Sequence, residues 1–238
     1  MPCCPSLPTP PFRIKVCGVR TVEDVRATAS AGGDAVGLNF YPPSVRSLDR
    51  STARELAAEA ERLGICAVGL FVNEPPEAIA ETAAEVGLRA VQLHGDEAVE
   101  DAAQLAADGF AIVRAVRLPC GPLTGDAIDA LVAPWAEAGC TVLFDADAGA
   151  AYGGRGLRLD WPSLRRWLDS EPATARPFVL AGGLAAETVA EAVAASGAWG
   201  VDVASGVEAS RGIKSPERIS EFARRARGAL ASSSLPSS

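Results

Sequence analysis

Eight short apolar runs alternate with eight helical segments along this 238-residue chain, and no other feature constrains the fold as tightly. The runs fall at residues 12–17, 35–40, 66–72, 90–93, 111–116, 141–145, 178–181 and 199–203. Helical patterns lie at 21–31, 51–63, 74–86, 97–107, 125–133, 161–169, 185–195 and 215–228. Thr21 with Asp24 three residues on is a variant of a capping box. Strands that alternate with helices run parallel, with each helix as a crossover. Eight such units in one domain of this size predict an α/β fold closed into a (β/α)8 TIM barrel. An open doubly wound sheet is the competitor. It would place a glycine fingerprint after the first strand, and Cys17-Gly18-Val19-Arg20 does not match one.

Side-chain parity then sorts the residues. The outer face of a barrel strand packs on helices and is apolar. Val142 and Phe144 face out, so Asp145 faces in. By the same rule Val91 and Leu93 put Gln92 and His94 inside, and Val201 and Val203 put Asp202 inside. In the first strand Ile14 and Val16 alternate with Lys15 and Cys17, which points the ammonium and the thiol inward. Cys17, His94 and Asp145 end their strands, and active sites of such barrels lie at the carboxyl ends. Residues far apart in sequence therefore converge on one mouth.

Ala181-Gly182-Gly183-Leu184 follows the seventh run and Ala204-Ser205-Gly206-Val207 the eighth. Glycines let backbone N–H groups approach a phosphate closely, and loops at these two positions commonly bind one. Gly182, Gly183, Ser205 and Gly206 are the phosphate-binding candidates. A third loop, Tyr152-Gly153-Gly154-Arg155-Gly156, is rich enough in glycine to close over a ligand.

Composition limits the partners. Lys plus Arg is 22 against 30 Asp plus Glu, a net charge of −8, which argues against nucleic acid. No apolar run approaches the roughly 20 residues of a membrane helix. Residues 1–11 are rich in proline and uncharged, without the pattern of a secretory signal, and read as a disordered tail. Residues 231–238, rich in serine, read as a second, leaving 12–230 as the barrel. The six cysteines have neither metal spacing nor a disulfide framework, so a reduced, cytoplasmic protein is expected.

The segments KVCGVRTVEDV, GGDAVGLNFYPPSVR, VGLFVNEP, VQLHGDE, LFDADAGAAYGGRGLRLDW, LAGGL and VDVASGVE occur in order across residues 13–227. As an ordered set they resemble the phosphoribosylanthranilate isomerases of tryptophan biosynthesis. The resemblance implies an Amadori rearrangement of N-(5-phosphoribosyl)anthranilate to 1-(2-carboxyphenylamino)-1-deoxyribulose 5-phosphate. It makes Cys17 the general base, Asp145 the general acid and Arg46 the ligand of the anthranilate carboxylate. Gln92, His94 and Asp202 are further substrate-binding candidates, and the two glycine loops match the family's phosphate site. Asp145 must hold a proton to open the furanose ring, and Cys17 must gain thiolate character to take the C2 proton, which a nearby Lys15 favours. Asp147 stands close enough to compete for the acid role, and Arg155 replaces a small residue common in the family. The resemblance implies no metal or organic cofactor, and a monomer or a homodimer.

Two other readings compete. A related sugar-phosphate isomerase of histidine biosynthesis would carry an aspartate at the end of the first strand, where this chain has Cys17. A non-catalytic barrel would have no use for Cys17, Arg46, Asp145 and both glycine loops together.

Overall fold

The computed structural model describes residues 9–146, 159–170 and 177–232. Asp147, Arg155, the loop at 152–156 and most of both expected tails lie outside the described residues. Eight parallel strands close into a barrel in chain order, and the last pairs with the first. They are β1 (Ile14–Cys17), β2 (Ala35–Asn39), β3 (Cys66–Phe71), β4 (Ala90–Leu93), β5 (Ala111–Leu118), β6 (Thr141–Ala146), β7 (Phe178–Leu180) and β8 (Gly200–Val203). The helices α1 (Val22–Ser30), α2 (Arg50–Arg62), α3 (Pro76–Val86), α4 (Val99–Ala107), α5 (Gly125–Glu137), α6 (Trp161–Asp169) and α7 (Val189–Ser196) cross between them. After β8 come a 3-10 turn (Ser205–Val207) and a small antiparallel hairpin, β9 (Glu208–Ser210) with β10 (Ile213–Lys214). The long helix α8 (Pro216–Ser232) follows.

Parity partitions the core as the alternation requires. Ile14, Val16, Val36, Leu38, Val91, Leu93, Val142, Phe144, Phe178, Leu180, Val201 and Val203 join one large cluster with the helices. Ala35, Val68, Ala90, Val113, Ala115, Leu143, Val179 and Ala181 form a separate cluster from the inward positions, and Phe12, which the alternation sets on the outer face with Ile14 and Val16, joins them instead because it precedes β1. The barrel is thus a packed core below its mouth, as narrow eight-stranded barrels are. On α8 the buried residues Ile219, Phe222, Ala223, Ala226 and Leu230 recur at helical spacing and make one apolar stripe.

Several boundaries differ from the sequence reading, each for a physical reason. α8 continues to Ser232, into the expected serine-rich tail, because Leu230 is buried and its carbonyl accepts from Arg13 Nη2 at 3.2 Å. Pro10 is buried as well, so the expected N-terminal tail docks at least from that residue. α5 runs through Pro134 because Ile128, Val132 and Ala136 keep one face buried, and Trp135 stacks on Arg114 with Cζ 4.2 Å from the ring centre. α4 starts at Val99, since Glu97 is already engaged: its carboxylate accepts from Asn73 N, Gly95 N and Arg114. α7 starts at Val189, four residues late, after a turn closed by Thr188 N–H on the Ala185 carbonyl.

Candidate active site

The carboxyl ends of the strands surround a cleft of about 770 Å³ including its open mouth. Cys17, Arg46, Gln92, His94, Asp145, Asp202, Gly182, Gly183 and Ser205 all line it. Of the site residues read from the sequence only Gly206 does not. It packs against the loop after β7 instead, where a Cβ would meet the Leu184 carbonyl oxygen at 1.9 Å.

The Lys-Val-Cys-Gly segment has a local logic. Gly18 adopts φ +72, a left-handed conformation that side chains other than glycine rarely take. A Cβ there would also meet Arg46 Cδ at 2.4 Å, so the missing side chain opens the path for the arginine stem. On the neighbouring strand a Cβ at Gly37 would lie 2.7 Å from Cys17 Sγ, and glycine leaves that space to the thiol.

Beneath the thiol lies a buried charge pair. Lys15 is fully enclosed, and its Nζ donates to Asp202 Oδ1 at 2.8 Å. Burial opposes the lysine charge, but Asp202 and then Cys17 outweigh it and raise the Lys15 pKa above its ordinary value. Cys17 is governed first by burial, which pushes the thiol up. Lys15 and Lys214 pull it down and Asp202 pushes it further up, and the balance lies above the usual thiol. Lys15 therefore favours the thiolate as expected from the sequence, yet burial outweighs it.

Gln92, His94 and Asp145 form a chain. The Gln92 amide Nε2 lies 2.9 Å from His94 Nδ1, and an amide nitrogen can only donate. With the amide in this orientation Nδ1 accepts, and His94 Nε2 faces Asp145 Oδ2 at 3.3 Å. Asp145 Oδ1 accepts from Ala146 N at 2.8 Å. Gly182, at φ +80, presses against this carboxylate; a Cβ there would stand 3.0 Å from Asp145 Oδ1. The Oε1 of Gln92, fully buried on the cleft, has no hydrogen-bond partner.

Arg46 meets a residue that the parity argument passed over. Its Nε and Nη2 donate to the two oxygens of Glu208 at 2.6 and 2.9 Å. Glu208 sits in the segment after β8, where no strand pattern assigns it a face. Lys214, enclosed in β10, donates to Glu208 Oε1 at 3.2 Å and to the Ala204 carbonyl at 2.8 Å. Burial pushes Glu208 up, but Arg46 and Lys214 hold its carboxyl below the ordinary range. Cys17, Leu70 and Val72 make an apolar cluster with Tyr41 and Ala204 packed on it, a further part of the site that the sequence did not single out. Here the signal was present: the inward positions near the end of β3 are apolar, unlike those of β1, β4 and β6.

Among the described residues no group of three or more His, Cys, Asp and Glu side chains could hold a metal ion. No described helix is long and apolar enough to cross a membrane.

Residues 14–225 match the family model described as N-(5'phosphoribosyl)anthranilate (PRA) isomerase. The N-(5'-phosphoribosyl)anthranilate isomerase of Myxococcus xanthus is 43% identical over 215 residues, 90% of this chain and 96% of that protein. The crystal structure of phosphoribosyl anthranilate isomerase from Thermotoga maritima superposes with a TM-score of 0.78 at 33% identity, covering 91% of this chain and 99% of that one. A second such isomerase structure, in complex with reduced 1-(o-carboxyphenylamino)-1-deoxyribulose 5-phosphate, gives 0.75 at 32% identity over the same shares.

Proposed function

The chain belongs to the N-(5'-phosphoribosyl)anthranilate isomerase family, and from that premise we propose that Cys17 and Asp145 carry its reaction while Arg46 and the two glycine loops hold its substrate. The activity is the isomerisation of N-(5-phosphoribosyl)anthranilate to 1-(2-carboxyphenylamino)-1-deoxyribulose 5-phosphate in tryptophan biosynthesis. The observation that carries the assignment of roles is convergence: a thiol from β1 and a carboxyl from β6 line one cleft, between an arginine and two glycine loops.

Asp145 in its acid form gives a proton to the furanose ring oxygen, the C1–O bond breaks, and the ring opens to a protonated Schiff base. His94, aimed by Gln92, steadies Asp145 through Nε2–H. The cationic Schiff base acidifies the C2 proton and, by its positive charge, favours the thiolate of Cys17. Cys17 takes that proton, leaving an enolamine that tautomerises to the ketone. The anthranilate ring packs on Leu70, Val72 and Tyr41, and its carboxylate meets Arg46. Gln92 Oε1 accepts from a substrate N–H or hydroxyl. The phosphate lies on the backbone of Gly182, Gly183 and Ser205. Asp202 holds Lys15 on its cleft side.

The reading assigns the protein to the cytoplasm as a monomer or homodimer, with no cofactor and no nucleic-acid or membrane partner. Its test is turnover of freshly generated phosphoribosylanthranilate, followed by loss of fluorescence. Wild type should turn over, and Cys17→Ala and Asp145→Asn should each fall by about 10²–10⁴-fold. Full turnover by either variant would remove that residue from its role.

A further inference from the structure

We propose that Glu208 is a positioning residue for substrate selection: it locks the Arg46 guanidinium so that one edge of it receives the carboxylate of the aniline ring. This rests on the reading of Arg46 as the carboxylate ligand.

The geometry is specific. A guanidinium has five N–H groups in one plane, arranged as forks along its edges. Glu208 takes the Nε–Nη2 fork with both oxygens, at 2.6 and 2.9 Å. Both hydrogens of Nη1 and the second of Nη2 then remain for a ligand, and together they make the end-on fork that fits a second carboxylate. Arg46 has a long side chain with many rotamers, and its stem crosses the space that Gly18 leaves open. Without a fixed partner, binding would have to order it at a cost in affinity.

Glu208 is itself immobilised. Lys214 Nζ donates to Oε1 at 3.2 Å and Gly212 N to Oε2 at 3.1 Å. Arg218 Nη1 donates to its backbone carbonyl. The β9–β10 hairpin turns at Gly212, φ +81, which brings that N–H and Lys214 back onto Glu208. One charge is therefore held by two cations and a backbone donor, and only Arg46 of the two cations lines the cleft. The arrangement costs charge at Arg46 and gains direction. Selection by a planar fork depends on direction.

The test compares two probes by calorimetry: reduced 1-(2-carboxyphenylamino)-1-deoxyribulose 5-phosphate and its phenylamino counterpart without the carboxylate. Wild type should bind the carboxylated probe at least tenfold more tightly. Glu208→Gln, which keeps shape and loses charge, should cut that preference at least fivefold. Arg46→Ala should abolish it, and adding Glu208→Gln to Arg46→Ala should change it no further. A merely structural Glu208 would weaken both probes alike and leave the preference intact, and that result would overturn the inference. If Glu208→Gln does not fold, Glu208→Asp keeps the charge but draws it back from the guanidinium, and an unchanged preference there would be equally fatal. The two readings fail separately. A wild type without preference, unaltered by Arg46→Ala, sinks the role of Arg46 and this inference with it. Preference lost in Arg46→Ala but kept in Glu208→Gln sinks this inference alone.

Discussion

At the scale of the residue, the thiol poses the sharpest chemical question. Burial holds Cys17 above the usual thiol pKa in the unliganded site, although Lys15 lies beside it. On the proposed mechanism such a group is a weak base at rest and ionises when the cationic Schiff base forms. Alkylation of Cys17 by iodoacetamide, read on its own peptide by mass spectrometry, should therefore be slow at neutral pH. It should keep accelerating above the ordinary thiol value of about 8.5. A plateau reached below pH 8 would mean a thiolate already formed. The kinetic counterpart has a definite sign. The profile of kcat/KM reports the free enzyme and that of kcat the complex. The rising limb attributable to Cys17 should thus lie at lower pH in kcat than in kcat/KM, and coincident limbs would show that substrate does not help the ionisation.

At the scale of the element, the glycine loops pack against one another. Gly206, a phosphate-contact candidate, is also the surface on which the loops after β7 and β8 meet. Because a Cβ there would sit 1.9 Å from the Leu184 carbonyl oxygen, Gly206→Ala must push the loops apart. The expected outcome is a KM for the phosphorylated substrate raised about tenfold, with a lowered thermal midpoint from the same displacement. An unchanged KM would separate Gly206 from the phosphate site. Helix α1 gives a stability counterpart. Thr21 accepts from Asp24 N at 3.1 Å while Asp24 accepts from Thr21 N, so Thr21→Ala should cost about 1 kcal/mol in urea unfolding. That capping box could be read directly because it is local, and so could the strand parity that put Cys17, Gln92, His94, Asp145 and Asp202 inside. What the sequence hid is not local. Glu97 looked like the first residue of α4 until Asn73, Gly95 and Arg114 claimed its carboxylate. Glu208 and Lys214 lie in the twelve-residue excursion between β8 and α8, whose hairpin carries no periodic signal, and only the turn at Gly212 reveals that Lys214 meets the carboxylate that holds Arg46. The α5 pattern in the sequence stops at 133, and tertiary packing of Trp135 and Ala136 carries the helix on through Pro134.

At the scale of the whole molecule, the barrel has one seam that local structure cannot close, where the first strand meets the last. Lys15 and Asp202 are partners in register across it, and their ion pair spans it inside the barrel. Arg13 adds bonds to the Trp199 and Leu230 carbonyls on the outer side. These contacts join residues 186 to 217 positions apart, so they form at the largest loop-closure cost in the fold. A buried pair of this kind contributes little beyond an apolar replacement, yet breaking it by half leaves an uncompensated charge. Lys15→Met should therefore lose about 3–5 kcal/mol in urea unfolding. The double change Lys15→Met with Asp202→Leu should recover most of that loss, because no lone carboxylate remains. Turnover should not recover with it, since the thiol would have lost its neighbouring cation and the cleft a polar wall. The wild-type pair also sets a pH window. With the folded pKa of Lys15 raised above the unfolded value near 10.4, its contribution is complete below that pH and is lost as the pH rises through the folded value. The urea midpoint of wild type should accordingly decline above about pH 10, and the double variant should lack the lysine part of that decline. If the double variant regained activity along with stability, the pair would be a device for closing the seam and nothing more.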